Sequence, residues 1–114
     1  MEVAGENMTK VKVGNVSELK PGKMIGAEVN GAKYLVANVN GEFFSIDGLC
    51  THQKGELWNG MLTGSVVKCP KHGSQFDVKT GKNLKGPWVP FGKAYDVKAY
   101  RVILEGNDIY LDFP

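Results

Sequence analysis

Two Asn-Gly dipeptides, Asn30-Gly31 and Asn40-Gly41, stand ten residues apart between runs rich in apolar and β-branched residues. No other feature restricts the backbone so tightly. A two-residue hairpin turn of type I′ needs positive φ at both central positions, and Asn followed by Gly meets that need at least cost. The two turns predict three antiparallel strands in succession, over Met24–Val29, Ala32–Val39 and Glu42–Ile46. Further strands are expected at Met8–Val13, Ser65–Lys68 and Gln75–Val78. Tyr95–Leu104 and Asp108–Phe113 form a closing hairpin across Glu105-Gly106-Asn107. Ser17–Gly22 reads as a turn with room for one helical turn. Lys79–Lys82 is a turn, and Asn83–Phe91 a loop, because Pro87 and Pro90 limit regular pairing. No segment shows a long 3.6-residue apolar period. The fold class is therefore all-β, an antiparallel β-sandwich or partly open barrel.

The 114 residues make one domain, 1–114. Fifteen glycines fit a chain with many tight turns. The net charge of +2 is too small to argue for nucleic-acid binding. Gly22-Lys23 lacks the upstream spacing of a phosphate loop. No apolar run approaches the ~20 residues of a membrane helix. The N-terminus has no basic stretch leading into an apolar run, and Arg101 is the sole arginine, so there is no twin-arginine pair. A cytoplasmic location is the expectation, and Asn15-Val16-Ser17 then reads as a chance glycosylation sequon.

The only two cysteines and two histidines fall in two short segments. They are Cys50-Thr51-His52 and, after sixteen intervening residues, Cys69-Pro70-Lys71-His72. A Cys50–Cys69 disulfide fits a cytosolic protein poorly. Two short loops that each bring a soft thiolate and an imidazole suit a metal centre, either tetrahedral zinc or a two-iron cluster. Zinc sites usually pair like ligands within a segment, whereas here each segment mixes one Cys with one His. A mixed pair arises naturally when each loop gives one ligand to each of two irons.

On these residues the chain resembles the Rieske family, whose pattern is Cys-x-His, a gap, then Cys-x-x-His. The run Cys69-Pro70-Lys71-His72-Gly73-Ser74-Gln75-Phe76-Asp77 is similar to the family's second cluster-binding loop. Pro87 and Trp88 are similar to its cluster-covering loop. The resemblance spans roughly residues 11–112. It implies a Rieske-like β-sandwich with a two-loop cluster-binding subdomain (loops about 47–64 and 69–91) and one [2Fe–2S] cluster. Cys50 and Cys69 would hold the inner iron and His52 and His72 the outer iron. The two imidazoles would raise the potential above that of all-cysteine clusters.

High-potential members carry two further cysteines that form a disulfide between the loops. Those positions are Gly55 and Lys71 here, so the bridge is expected to be absent. Ser74 matches a serine that donates to a cluster sulfur, and Phe76 replaces a donating tyrosine. Fewer donors put the expected potential toward the low end of the span of about −150 to +300 mV. The resemblance thus implies a stand-alone one-electron carrier, not itself an enzyme. It would pass electrons from a flavin-dependent reductase to a terminal oxygenase. Alternatives are a small Rieske-like subunit of a nitrite reductase and a zinc-stabilised binding module. A monomer is expected.

Lys54, Lys68, Lys71, Lys79, Lys82 and Lys85 crowd this region. They read as a solvated surface or as a docking rim for an acidic partner, with Lys54 and Lys71 the best candidates for the rim. Trp58 and Trp88 are expected to pack between loop and core rather than flank an electron exit. Tyr34, Phe43, Phe44, Tyr95, Tyr100 and Tyr110 are expected in the core or in cross-strand pairs.

Overall fold

The computed structural model describes residues 9–90 and 92–113. Met8 and Phe91, the expected outer ends of a strand and a loop, lie outside the described residues. Among the described residues ten strands follow one another: β1 (Thr9–Asn15), β2 (Met24–Val29), β3 (Ala32–Val39), β4 (Glu42–Asp47), β5 (Met61–Thr63), β6 (Val66–Lys68), β7 (Gln75–Asp77), β8 (Asn83–Lys85), β9 (Ala99–Glu105) and β10 (Asp108–Phe113). The helical content of the described residues is two short 3₁₀ turns, Val16–Glu18 and Leu57–Asn59. Asn15 caps the first of them, its side chain accepting from the Ser17 amide while Glu18 reaches back to the Asn15 amide. Among the described residues no helix is long and apolar enough to cross a membrane.

Both Asn-Gly turns form as their chemistry requires. Asn30 and Asn40 take φ of 52° and 53°, and Gly31 and Gly41 take 85° and 94°. The registers Val29↔Ala32 and Val39↔Glu42 follow directly. Six strands build one antiparallel sheet in the order β1-β10-β9-β4-β3-β2. Its edge strands approach each other, so the sheet curls into a nearly closed barrel. The other four, β5-β6-β7-β8, make a smaller antiparallel sheet in chain order.

Strand β3 joins the two lobes. Leu35 to Val39 are buried without a break, so both faces of the strand are covered. Val36 packs with Leu19, Ile109 and Leu111 in one core. Leu35, Ala37 and Val39 pack with Ile46, Leu57, Val67, Phe76, Val78, Val97 and both cysteines in the other. Buried Asn38 is satisfied at both ends of its amide, donating to the Leu19 carbonyl and accepting from the Gly41 amide.

The strand expectations need three corrections. Met61–Thr63 and Asn83–Lys85 pair as β5 and β8, extending the β6–β7 hairpin outward on both sides. The ninth strand begins at Ala99, not at Tyr95. Residues 95–98 are drawn off because their backbone groups bond elsewhere. Tyr95 engages Thr51 Oγ1, the Val97 amide donates to the Gly81 carbonyl, and the Lys98 amide donates to Asp47 Oδ2. Tyr95 is consequently 64% exposed, not a core aromatic. Tyr34, Tyr100 and Phe113 do cluster, with ring centroids 5.0–5.6 Å apart and Tyr100 edge to face with each of the other two.

Candidate metal centre

The two Cys–His segments fold into the same object. Lys68 pairs with Gln75 across β6 and β7, and Leu49 pairs with Glu56 in an isolated antiparallel bridge. Each pair closes a six-residue loop, Cys69–Ser74 in one case and Cys50–Gly55 in the other. In each loop the cysteine amide donates to the carbonyl of the sixth residue, Cys50 to Gly55 at 2.8 Å and Cys69 to Ser74 at 2.7 Å. In each, the cysteine carbonyl accepts from the fifth residue, Lys54 at 2.7 Å and Gly73 at 3.1 Å. The fifth residue has left-handed backbone in both, φ 57° at Lys54 and 80° at Gly73. The sequence spacings, Cys-x-His and Cys-x-x-His, conceal this equivalence.

Lys54 is the costly one of the two, because a Cβ in left-handed backbone loses about 1–2 kcal/mol. Lys54→Gly is expected to raise stability by about 0.5–1 kcal/mol, the extra freedom glycine gives the unfolded chain cancelling part of the relief. A thermal melt of the two proteins checks the sign.

The loops bring the four sequence-predicted side chains together as two pairs, Cys50 beside Cys69 and His52 facing His72; among the described residues no three His, Cys, Asp or Glu side chains converge on one metal position. Cys50 and Cys69 are each 2% exposed, not bridged to each other, and part of the core that holds Val67 and Phe76. Burial pushes the Cys50 thiol up from its ordinary value, the amides of His52 and Gln53 pull it partly back, and the neighbouring Cys69 adds to the rise. To hold a metal, the Cys50 thiol would have to give up its proton. The imidazoles sit farther out, and their Nδ1 atoms face each other at 3.2 Å.

A third segment covers the loops. The Trp88 amide donates to the His72 carbonyl at 2.8 Å. Thr51 Oγ1 donates to the Tyr95 carbonyl and accepts from the Tyr95 amide, both at 2.7 Å. Gly92 is pressed on the His52 ring, where a Cβ would stand 2.4 Å from Nε2. The two tryptophans part company. Trp58 packs as expected, its indole lying against Gly26 and Gly48 where neither has room for a Cβ. Trp88 is 64% exposed, contrary to expectation, because its ring lies on Gly73 at the surface with Lys68 Nζ 5.4 Å from its centroid.

The donors present fit a two-metal centre. Two imidazole nitrogens on one tetrahedral first-row metal, each at about 2.0–2.1 Å, stand about 3.3–3.4 Å apart, close to the spacing seen. Two soft thiolates and two imidazoles are the donor set of a two-iron centre in which His₂ replaces Cys₂ on one iron. Ser74 Oγ is fully buried without a partner, an orphaned donor beside Cys69. Phe76, also fully buried, brings no hydroxyl there. Gly55 and Lys71, far apart in sequence, are brought into contact range, since a Cβ on Gly55 would lie 3.5 Å from Lys71 Cβ. That Cβ would also stand 2.7 Å from Cys69 Sγ, so the site needs glycine. Sequence reasoning missed Thr51, Gly92 and the Gln53 carbonyl, which carry no metal-binding signal.

Comparison with known proteins agrees with the geometry. The family model of the Rieske [2Fe-2S] domain matches residues 9–100. The ferredoxin component of the naphthalene 1,2-dioxygenase/salicylate 5-hydroxylase systems of Ralstonia sp is 37% identical over 96 residues, covering 84% of this chain and 88% of that protein. The biphenyl dioxygenase ferredoxin subunit of Pseudomonas sp. (strain KKS102) is 36% identical over 107 residues, covering 93% and 94%. Among solved structures, the ferredoxin of carbazole 1,9a-dioxygenase from Nocardioides aromaticivorans IC177 superposes with a TM-score of 0.80 at 30% identity, covering 90% of this chain and 96% of that one. This chain belongs to the Rieske [2Fe-2S] family as a ferredoxin, an electron carrier with one [2Fe–2S] cluster.

Proposed function

We propose that Cys50 and Cys69 hold the inner iron, that His52 and His72 hold the outer iron through Nδ1, and that Ser74 Oγ donates to the cluster's sulfur. The facing Nδ1 atoms at 3.2 Å, outside a pair of buried thiols, carry this reading. When bound, the cluster supplies a one-electron couple. The chain's own residues set its surroundings. Burial of both cysteines keeps water from the inner side, and the His52–His72 side is the short way out. The whole chain, 1–114, acts as one cytoplasmic, monomeric carrier. It takes electrons from a flavin-dependent reductase and delivers them to the terminal oxygenase of a ring-dioxygenase system, docking through the His52/His72 face.

The surface around the imidazoles supports that docking. Trp88, exposed and anchored by its own amide to His72, has the character of an interface anchor. Lys54 and Lys71 are exposed on the same two loops. Association with the reductase or oxygenase is expected to slow as salt rises, because the basic rim steers an acidic partner. Stopped-flow rates across an ionic-strength series test this, and a flat series would remove the steering role.

Purified protein is expected to be red-brown, with two irons and two labile sulfides and a reduced-state electron paramagnetic resonance signal of low average g. One bound zinc and no colour would sink the reading. A redox titration should give a midpoint toward the low end of the span of about −150 to +300 mV, because Phe76 withholds a donor. Phe76→Tyr should raise that midpoint.

A further inference from the structure

Lys71 reaches from the second Cys–His loop into the first. Its Nζ donates to the Gln53 carbonyl at 3.2 Å. Its stem passes over Gly55, where a Cβ would come within 3.4 Å of Lys71 Cγ. The peptide group it grips is the one joining Gln53 to Lys54. The N–H of that same peptide closes the first loop by donating to the Cys50 carbonyl at 2.7 Å.

This peptide leads into the strained residue of the site. Lys54 holds φ at 57° with a full side chain, whereas Gly73, its equivalent in the second loop, reaches 80° without a Cβ to object. Of two loops with the same hydrogen bonds, the strained one is the one a cation from the other loop takes hold of. Strained backbone persists only where its surroundings over-determine it. A peptide bonded at both its N–H and its C=O resists rotation, and a bond from an ammonium is stronger than a neutral one.

We propose that Lys71 is a positioning residue that locks the Gln53–Lys54 peptide in place. It thereby holds the first loop, with Cys50 and His52, in its metal-binding shape. This rests on the ligand assignment made above. The lock is an exposed side-chain contact, so its variants should fold normally, and its effect should appear in local opening of the loop.

The readout is the rate at which the holoprotein loses its visible cluster absorbance in excess chelator. Lys71→Met keeps most of the stem and removes the donor, and should bleach about fivefold faster. Lys71→Arg restores a cationic donor and should return the rate to near wild type. Lys54→Gly removes the strain and should bleach no faster than wild type. In that background Lys71→Met should have little further effect, since the two act on one peptide. Wild-type rates for Lys71→Met, or the same acceleration in both backgrounds, would overturn the lock. A wild-type protein that never acquires the absorbance would overturn the ligand assignment, and the proposal with it.

Discussion

Cys69→Ser is expected to purify colourless, with no tightly bound iron, and to melt well below wild type. The residue is 2% exposed and lies in one core cluster with Phe76, Val67 and Cys50. A serine hydroxyl does not ionise near neutral pH, so the variant cannot present the soft anion that this donor set needs. Metal bound only by the folded loops adds its binding free energy to stability, and that contribution disappears with the ligand. Because the substitution is small, little packing is lost by comparison. Stripping iron from the wild type should therefore lower the melting temperature by nearly as much as the substitution does. Iron and sulfide analysis with paired melts of the two proteins checks both halves. A variant with full iron content would refute the role given to Cys69.

Gly73→Ala is expected to cost about 2 kcal/mol, because left-handed strain of about 1–2 kcal/mol together with displacement of the Trp88 ring outweighs the freedom that the unfolded chain loses with the glycine. At this size of domain that is roughly a 10 °C fall in melting temperature. The Cβ would stand 2.1 Å from Trp88 Cε3, with φ at 80°. The two contributions separate experimentally. Trp88 is 64% exposed and can swing away, so strain should dominate. Adding Trp88→Ala to Gly73→Ala should recover only the smaller part. Full recovery would mean that contact with the ring, not backbone strain, fixes glycine here. Melts of the two single variants and the double variant decide it.

The hairpins were legible because their turn chemistry is local. Asn30-Gly31 and Asn40-Gly41 needed only their own φ values, and they set the register of β2, β3 and β4. The two cysteines and two histidines of the expected centre were equally easy to single out, being the whole supply of Cys and His in the chain. Ser74 was singled out from its place after the second histidine, and the structure buries its hydroxyl without a partner. The start of β9 was not legible. Tyr95 to Lys98 look like strand, but side chains of Thr51 and Asp47, far away in sequence, take their backbone groups. Tyr95 and Trp88 turned outward for a related reason, since their backbones are tied to loops that hold the rings off the core.

By itself the sequence determined the all-β class and the two type I′ turns, and it singled out two Cys–His segments, because each depends on residues adjacent in the chain or on a count of rare ones. Only the tertiary structure decided that Cys50–Gly55 and Cys69–Ser74 are one loop built twice. The second turn is closed by a hairpin and the first by a single bridge, and a bridge between Leu49 and Glu56 leaves no periodic trace. It also decided that Lys71 meets the Gln53 carbonyl, since a backbone acceptor has no residue-type signature and becomes specific only when the fold sets it opposite a donor.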